Sequence, residues 1–269
     1  MKEESFKSID EDLRNLAIDP DVLEKELAAE LQGDPLDDIE FEVFNSDKNK
    51  ISNECELGLK WLQQGHEERL QGLRVFCEHR DKRALSLLIP LLSEPSPVER
   101  MSAVYALGRN PSPKAVDTLL ELLQSDSNAY VRKAAAWSLG NYSASPVMEP
   151  LIKALHNDVA AVRLWAASSL AEVGSTSIDK AEAVVSELLL GLRIDQEPLV
   201  RSNCIWSLGR LYEKVLEAMK LELTEGLFSI LLNDLEPSVR YEARVALEQI
   251  QSPEVVGRLQ RLVEDGFLL

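Results

Sequence analysis

The chain has 269 residues, 45% of them hydrophobic, 28% charged and only 6% aromatic. Leucine and alanine supply most of the apolar material, a mixture that builds a core from helices sooner than from sheet. Asp and Glu outnumber Lys and Arg by 46 to 29, and the net charge of -17 repels phosphate, so nucleic acid and anionic lipid are excluded as first partners.

The first 56 residues hold 18 acidic and 6 basic side chains and so carry -12 of the net charge. They open with acids where a secretory or import signal needs a basic, apolar or Arg-rich segment, which reads as a cytoplasmic protein. Within them Pro20 to Gln32 predicts a helix with Leu23, Leu27 and Leu31 on one side and Gly33 at its stop. Ile39, Phe41 and Val43 then alternate with Glu40 and Glu42. This extension is either a solvating acidic leader or, through Phe41 and Phe44, a segment that docks on the first repeats or on a partner. The best apolar run, Ala84 to Leu92, is interrupted by Ser86 and Pro90 and falls well short of the roughly 18 residues a membrane span requires. No direct membrane insertion is expected.

From residue 57 onward the sequence repeats itself: AYVRKAAAWSLGN at 129–141, AAVRLWAASSLAE at 160–172, PLVRSNCIWSLGR at 198–210 and PSVRYEARVALEQ at 237–249. Two weaker copies place the common arginine at positions 69, 100, 132, 163, 201 and 240, spaced by 31, 32, 31, 38 and 39 residues. Such periods mean stacked helical units. Three positions after the arginine stand Gly72, Ala103, Ala135, Ala166, Cys204 and Ala243, small enough for helices to approach closely. Seven after it stand Phe76, Leu107, Leu139, Leu170, Leu208 and Leu247, one turn further on the same face. Pro97, Pro198 and Pro237 mark helix starts. Glu94, Asp126, Asn157, Asp195 and Asp234, six positions before the arginine, can take up backbone amides in the preceding turn. A leucine-rich helix precedes each turn, lengthened at 172–187 and 211–226. The domain reading is therefore an extension at 1–56 and an all-α, α-solenoid array of helix-turn-helix repeats at 57–269. It closes with a capping helix from Pro253 to Val263, and the terminal Phe267, Leu268 and Leu269 either finish that cap or form a docking tag.

The core pattern D-x(4)-V-R-x-x-A-A-x-x-L-G, seen in Asp126 with Val131 to Gly140 and in Asp195 with Val200 to Gly209, resembles HEAT-like repeats of the phycobilisome lyase type. That resemblance implies a ladder between adjacent repeats, built from Asp126, Asp195 and Asp234 with Arg132, Arg163, Arg201 and Arg240. In the first two copies Arg69 has no evident acidic partner and Glu99 stands where valine is usual, so the ladder is expected to weaken there. It also implies that the second helices line a concave side.

No phosphate loop, nucleophile elbow or zinc-ligand spacing is present, and no catalytic residue is assigned. Cys204 reads as a buried small side chain. Cys55 and Cys77 are the remaining metal candidates, less constrained by the repeat so that either could be exposed, but three scattered thiols do not make a cluster site and no cofactor is assigned. An iron-sulfur cluster would have to be shared with a partner. Five positions after the arginine come Tyr105, Trp137, Ser168, Trp206 and Val245, about 200° round the helix from the small-residue column. With Trp165 and Asn203 two positions after it and Arg109, Asn141 and Arg210 nine after it, they form an expected strip of aromatic and basic side chains, the usual anchors of protein interfaces. The alternative is that each tryptophan packs against the neighbouring repeat. An acidic leader followed by such repeats resembles cyanobacterial HEAT-repeat proteins that associate with IscA-type iron-sulfur carriers. The implied role is a non-catalytic scaffold or assembly factor, its partner such a carrier or a photosynthetic complex subunit. Other proteins with these repeats are bilin lyase subunits acting on phycobiliproteins, which is the competing reading.

Overall fold

The computed structural model describes residues 48–268, so the expected helix at 20–32 and the alternating stretch around Phe41 lie outside the described residues. Among the described residues every regular element is helical. The first pair is α1 (Lys48–Trp61) and α2 (His66–Glu78), followed by α3 (Leu85–Leu91) with α4 (Pro97–Arg109) and α5 (Val116–Ser125) with α6 (Ala129–Leu139). Then come α7 (Met148–Asn157) with α8 (Ala160–Gly174), α9 (Ile178–Ile194) with α10 (Pro198–Leu211), α11 (Glu217–Asn233) with α12 (Pro237–Gln249), and the closing α13 (Pro253–Glu264). The boundary expected at 56/57 falls inside α1, because the first helix starts at Lys48. The two long repeat spacings are absorbed by the first helices: α9 and α11 each have 17 residues against 10 in α5 and α7.

The chain divides into two compact units, Met1–Pro150 and Leu151–Leu269. In the first, the second helices α2, α4 and α6 pack side by side; in the second, α8, α10 and α12 do the same. The first helices α1, α3 and α5, and in the second unit α9 and α11, pack against them, so that each unit is a run of HEAT-like helix pairs.

The apolar columns form the core. Ala103, Ala135, Ala166, Cys204 and Ala243 are fully buried, as are Phe76, Leu107, Leu139, Leu170, Leu208 and Leu247. At Gly72 the helices come so close that a β-carbon would meet the Gly58 carbonyl and the Leu62 amide at 2.9 Å. The columns four and six positions after the arginine are buried as well, Val104, Ala136, Ala167 and Ile205 on one flank and Ala106, Ser138, Ser169 and Ser207 on the other. The second helices α4, α6, α8 and α10 are thus covered on three sides, and Ser207 Oγ donates across to the Ala167 carbonyl at 2.9 Å.

At the turns the repeat arginine is used twice. Nε and Nη2 grip both oxygens of the next aspartate: Arg100 on Asp126 at 2.8 and 2.9 Å, Arg163 on Asp195 at 2.7 and 2.8 Å, Arg201 on Asp234 at 2.8 Å twice. Nη1 meanwhile donates to the carbonyls of the arginine's own turn, as at Glu94, Asp158 and Asp195; Arg132 and Arg240 make the same turn contact to Asp126 and Asp234. The aspartates also accept a backbone amide two residues on, from Asn128, Glu197 and Glu236 at 2.9 Å.

Two expectations need correction here. Asn157 does not play the turn role, because it is still the last residue of α7 and the turn that follows is one residue shorter; Asp158 caps it instead, accepting the Val159 amide at 2.7 Å. Nor does the ladder fail at Arg69. Glu99, buried where the four later copies have valine, accepts from Arg69 at 3.0 Å, and Glu94 lies 3.3 Å from the same guanidinium nitrogen. A carboxylate in the valine column is tolerated because the Arg69 guanidinium pairs with it, and His66 Nδ1 lies 3.2 Å away.

In the first unit a second polar link closes the opposite ends of the helices. Asn110 Nδ2 donates to the Phe76 carbonyl and its Oδ1 accepts the Asp81 amide; Tyr142 donates to the Leu107 carbonyl and accepts the Ser112 amide. The same column in the second unit holds Val173, Leu211 and Ile250, buried without polar groups. Tyr142→Phe should cost about 1 to 3 kcal/mol in denaturant unfolding, since a buried carbonyl and amide lose their shared partner.

The ladder also sets an acid limb. Burial pushes the Asp234 carboxyl up, but the Arg201 hydrogen bonds, the Glu236 amide and the charges of Arg201 and Arg240 outweigh it and hold the group below the ordinary carboxylate value. A depressed native value stabilises the fold above the unfolded value of about 4 and is lost as pH falls through the native one. Asp234→Asn should therefore be less stable than the parent at neutral pH, with the gap closing below about pH 4 in paired denaturant titrations.

Candidate partner-binding face

The strip expected on the second helices divides between the two units. In the first unit Tyr105 is fully buried, which corrects its assignment as a contact residue. Its ring meets Trp137 edge-on, with centroids 5.4 Å apart. Trp137 is half-buried and lies against Gly108, where an added β-carbon would come within 2.4 Å of the indole. The physical reason is the three-sided packing of α4 and α6: a large ring in this column leans onto the preceding helix instead of standing free. Arg109 is half-buried and donates from Nε to the Cys77 carbonyl at 3.1 Å. Asn141, in the short 3-10 turn after α6, is exposed.

In the second unit the column opens. Trp165 is half-buried; the Ser168 hydroxyl donates to Asn203 Oδ1 at 2.6 Å, tying α8 to α10. Trp206 is 50% exposed, and the Arg210 guanidinium lies 4.8 Å from its ring centroid while pairing with Glu172. The positive charge expected from Arg210 is thus already answered within the fold. Sequence reasoning missed Leu199, Leu235 and Tyr241, which are 56%, 94% and 65% exposed. The signal available for Leu199 was its place seven residues before Trp206, two turns along the same helix face.

The thiols are not where an accessible metal site needs them. Cys55 and Cys77, either of which could have been exposed, are both buried, Cys77 on the side of α2 that packs against α4. Cys77 donates weakly to the Ser102 carbonyl at 3.6 Å. Burial and the negative charges of Asp81, Glu54 and Glu56 push the Cys55 thiol up against the opposing pull of Arg83, and burial does the same to Cys204. Groups held as thiols are poor metal ligands and poor nucleophiles. Each histidine pairs with a glutamate, His66 with Glu99, His79 with Glu54 and His156 with Glu187, and no cluster of three or more metal-ligating side chains occurs among the described residues.

A family model for HEAT repeats matches residues 66–140, and one for the PBS lyase HEAT-like repeat matches 131–157. The matched segments are thus similar to HEAT repeats, and they cover α2 to α6 and the start of the next pair. No curated protein matches the sequence. Solved structures with a similar backbone include a designed armadillo repeat protein in complex with peptide (KR)4, at 20% identity and a TM-score of 0.50, covering 76% of this chain and 94% of that one. Another is an engineered protein at 20% identity and a TM-score of 0.49, covering 84% and 98%; human deoxyhypusine hydroxylase in complex with glycerol matches at 21% identity and 0.40, covering 89% and 83%. No helix among the described residues is long and apolar enough to cross a membrane.

The two tryptophans of one column should separate on truncation. Trp137→Ala removes a ring packed between α4 and α6 and is expected to cost about 2 kcal/mol or more, whereas Trp206→Ala should change stability by less than about 0.5 kcal/mol. Thermal or urea unfolding of the single variants reads the difference directly.

Proposed function

We propose that this protein is a non-catalytic scaffold or assembly factor that holds another protein on its second-helix faces. Asn141, Arg109 and the open edge of Trp137 would serve in the first unit, and Trp165, Asn203, Trp206 and Arg210 in the second. The observation that carries the reading is Trp206: an indole half in solvent, in a column whose other aromatic members are packed, with its orientation held by Arg210 and Glu172. A ring fixed in place before binding loses little freedom when a partner covers it. The armadillo neighbour supports this reading in that a repeat backbone of similar fold was solved holding a peptide.

Within that role, the resemblance of the repeats points to iron-sulfur or photosynthetic complex assembly, with an IscA-type carrier or a photosynthetic subunit as partner. Any cluster would be held through the partner's ligands, since the thiols of Cys55 and Cys77 are buried. A second reading, a bilin lyase-like subunit acting on phycobiliproteins, draws on the PBS lyase HEAT-like match at 131–157.

The test is titration of the purified chain against a purified IscA-type carrier and against apo-phycobiliprotein with phycocyanobilin. The scaffold reading expects saturable binding of a protein partner that Trp206→Ala weakens by about 2 kcal/mol with an unchanged melting temperature. A new visible band followed by bilin transfer to the apo-protein decides for the lyase reading.

A further inference from the structure

Among the described residues most of the large apolar side chains left in solvent belong to the second unit, and Leu199, Trp206 and Tyr241 gather on one face of it. Leu199 and Trp206 lie two turns apart along α10. Tyr241, one position after its repeat arginine, stands on α12 at the register of Ser202, between the levels of the other two. Since α10 and α12 are packed neighbours, that register places the three exposed side chains at overlapping levels on adjacent helices. One exposed leucine needs no explanation, but a patch spread over adjacent helices marks an interaction site.

The charges around the patch decide what fits it. The nearby cations are engaged: Arg210 with Glu172, Arg201 with Asp234, Arg244 with Glu248, while Arg240 donates to the Asp234 and Leu235 carbonyls. Glu197, Glu236 and Glu242 have no ion-pair partner among the described residues. A second copy would bring the same acidic face, and the chain's own first 56 residues carry -12, so both are repelled.

We propose that the α10 and α12 face of the second unit binds a positively charged peptide segment of another protein, anchored by large apolar side chains on Leu199, Trp206 and Tyr241. This deepens the protein-binding reading and rests on it. Neighbouring helices lie about 8 to 10 Å apart, so about three extended residues carry the segment from one to the next. Its lysines or arginines answer Glu197, Glu236 and Glu242.

The test uses the full chain and three labelled synthetic peptides of about twelve residues, a length that crosses both helices. One alternates Lys with Leu and Trp, one replaces Lys by Glu, and one replaces Leu and Trp by Ser. Fluorescence anisotropy should show tight binding of the first alone. Trp206→Ala with Tyr241→Ala should weaken it about thirtyfold at unchanged melting temperature. Glu236→Lys with Glu242→Lys should weaken it most at low salt. Equal binding of the Glu peptide or of the Ser peptide overturns the proposal, as does indifference to the aromatic pair. Loss of a natural partner from the aromatic variant, without displacement by the Lys peptide, sinks this inference and leaves the scaffold reading standing. Retention of the partner by that variant sinks the scaffold reading itself.

Discussion

The arrangement depends on one side chain satisfying two demands at once. A helix ends with carbonyls that have no partner, and a tight turn between helices leaves several of them facing inward. A guanidinium has enough donors in a fixed plane to serve those carbonyls from one edge and a carboxylate from the other. In the repeats at Arg100, Arg163 and Arg201 it does both, so closing a turn and gripping the next repeat are the same event. A lysine at these positions would offer a point charge without the fork and would leave one of the two tasks undone.

The same economy explains the exceptions. Where the turn before Arg163 is a residue shorter, the acid moves from position 157 to Asp158. Where the first ladder rung lies at the array's beginning, Glu99 is taken out of the apolar column to assist Glu94 in holding Arg69. The second polar link, through Asn110 and Tyr142, occurs only where loop backbone groups at the far ends of the helices are buried; the second unit answers the same column with Val173, Leu211 and Ile250. Stability here is distributed along nearest-neighbour contacts, as expected of repeat proteins.

Three flanks of α4, α6, α8 and α10 are packed, so little of each of these helices is left to solvent. In the first unit the remaining strip is largely filled by Tyr105 and Trp137 leaning on their neighbour, and in the second it is opened by Trp206 and Tyr241. The three cysteines are buried and each histidine lies against a glutamate, while the second unit's strip is the more exposed of the two.

The sequence by itself determined the helical class, the repeat register and the small and leucine columns. Each follows from local periodicity and from the chemistry of a turn, neither of which needs distant residues to be known. It could not determine which members of the aromatic column are free. Tyr105, Trp137 and Trp206 occupy equivalent positions on their helices, so no local rule tells them apart. Only the tertiary structure decides, because exposure depends on what the neighbouring helix offers at the same level. Trp137 lies on the open backbone at Gly108 and is drawn inward, while Trp206 is held out in solvent by Arg210 and Glu172. The same holds for Cys55 and Cys77, whose burial depends on the packing of α1 on α2 and of α2 on α4, a pairing that no spacing in the sequence records.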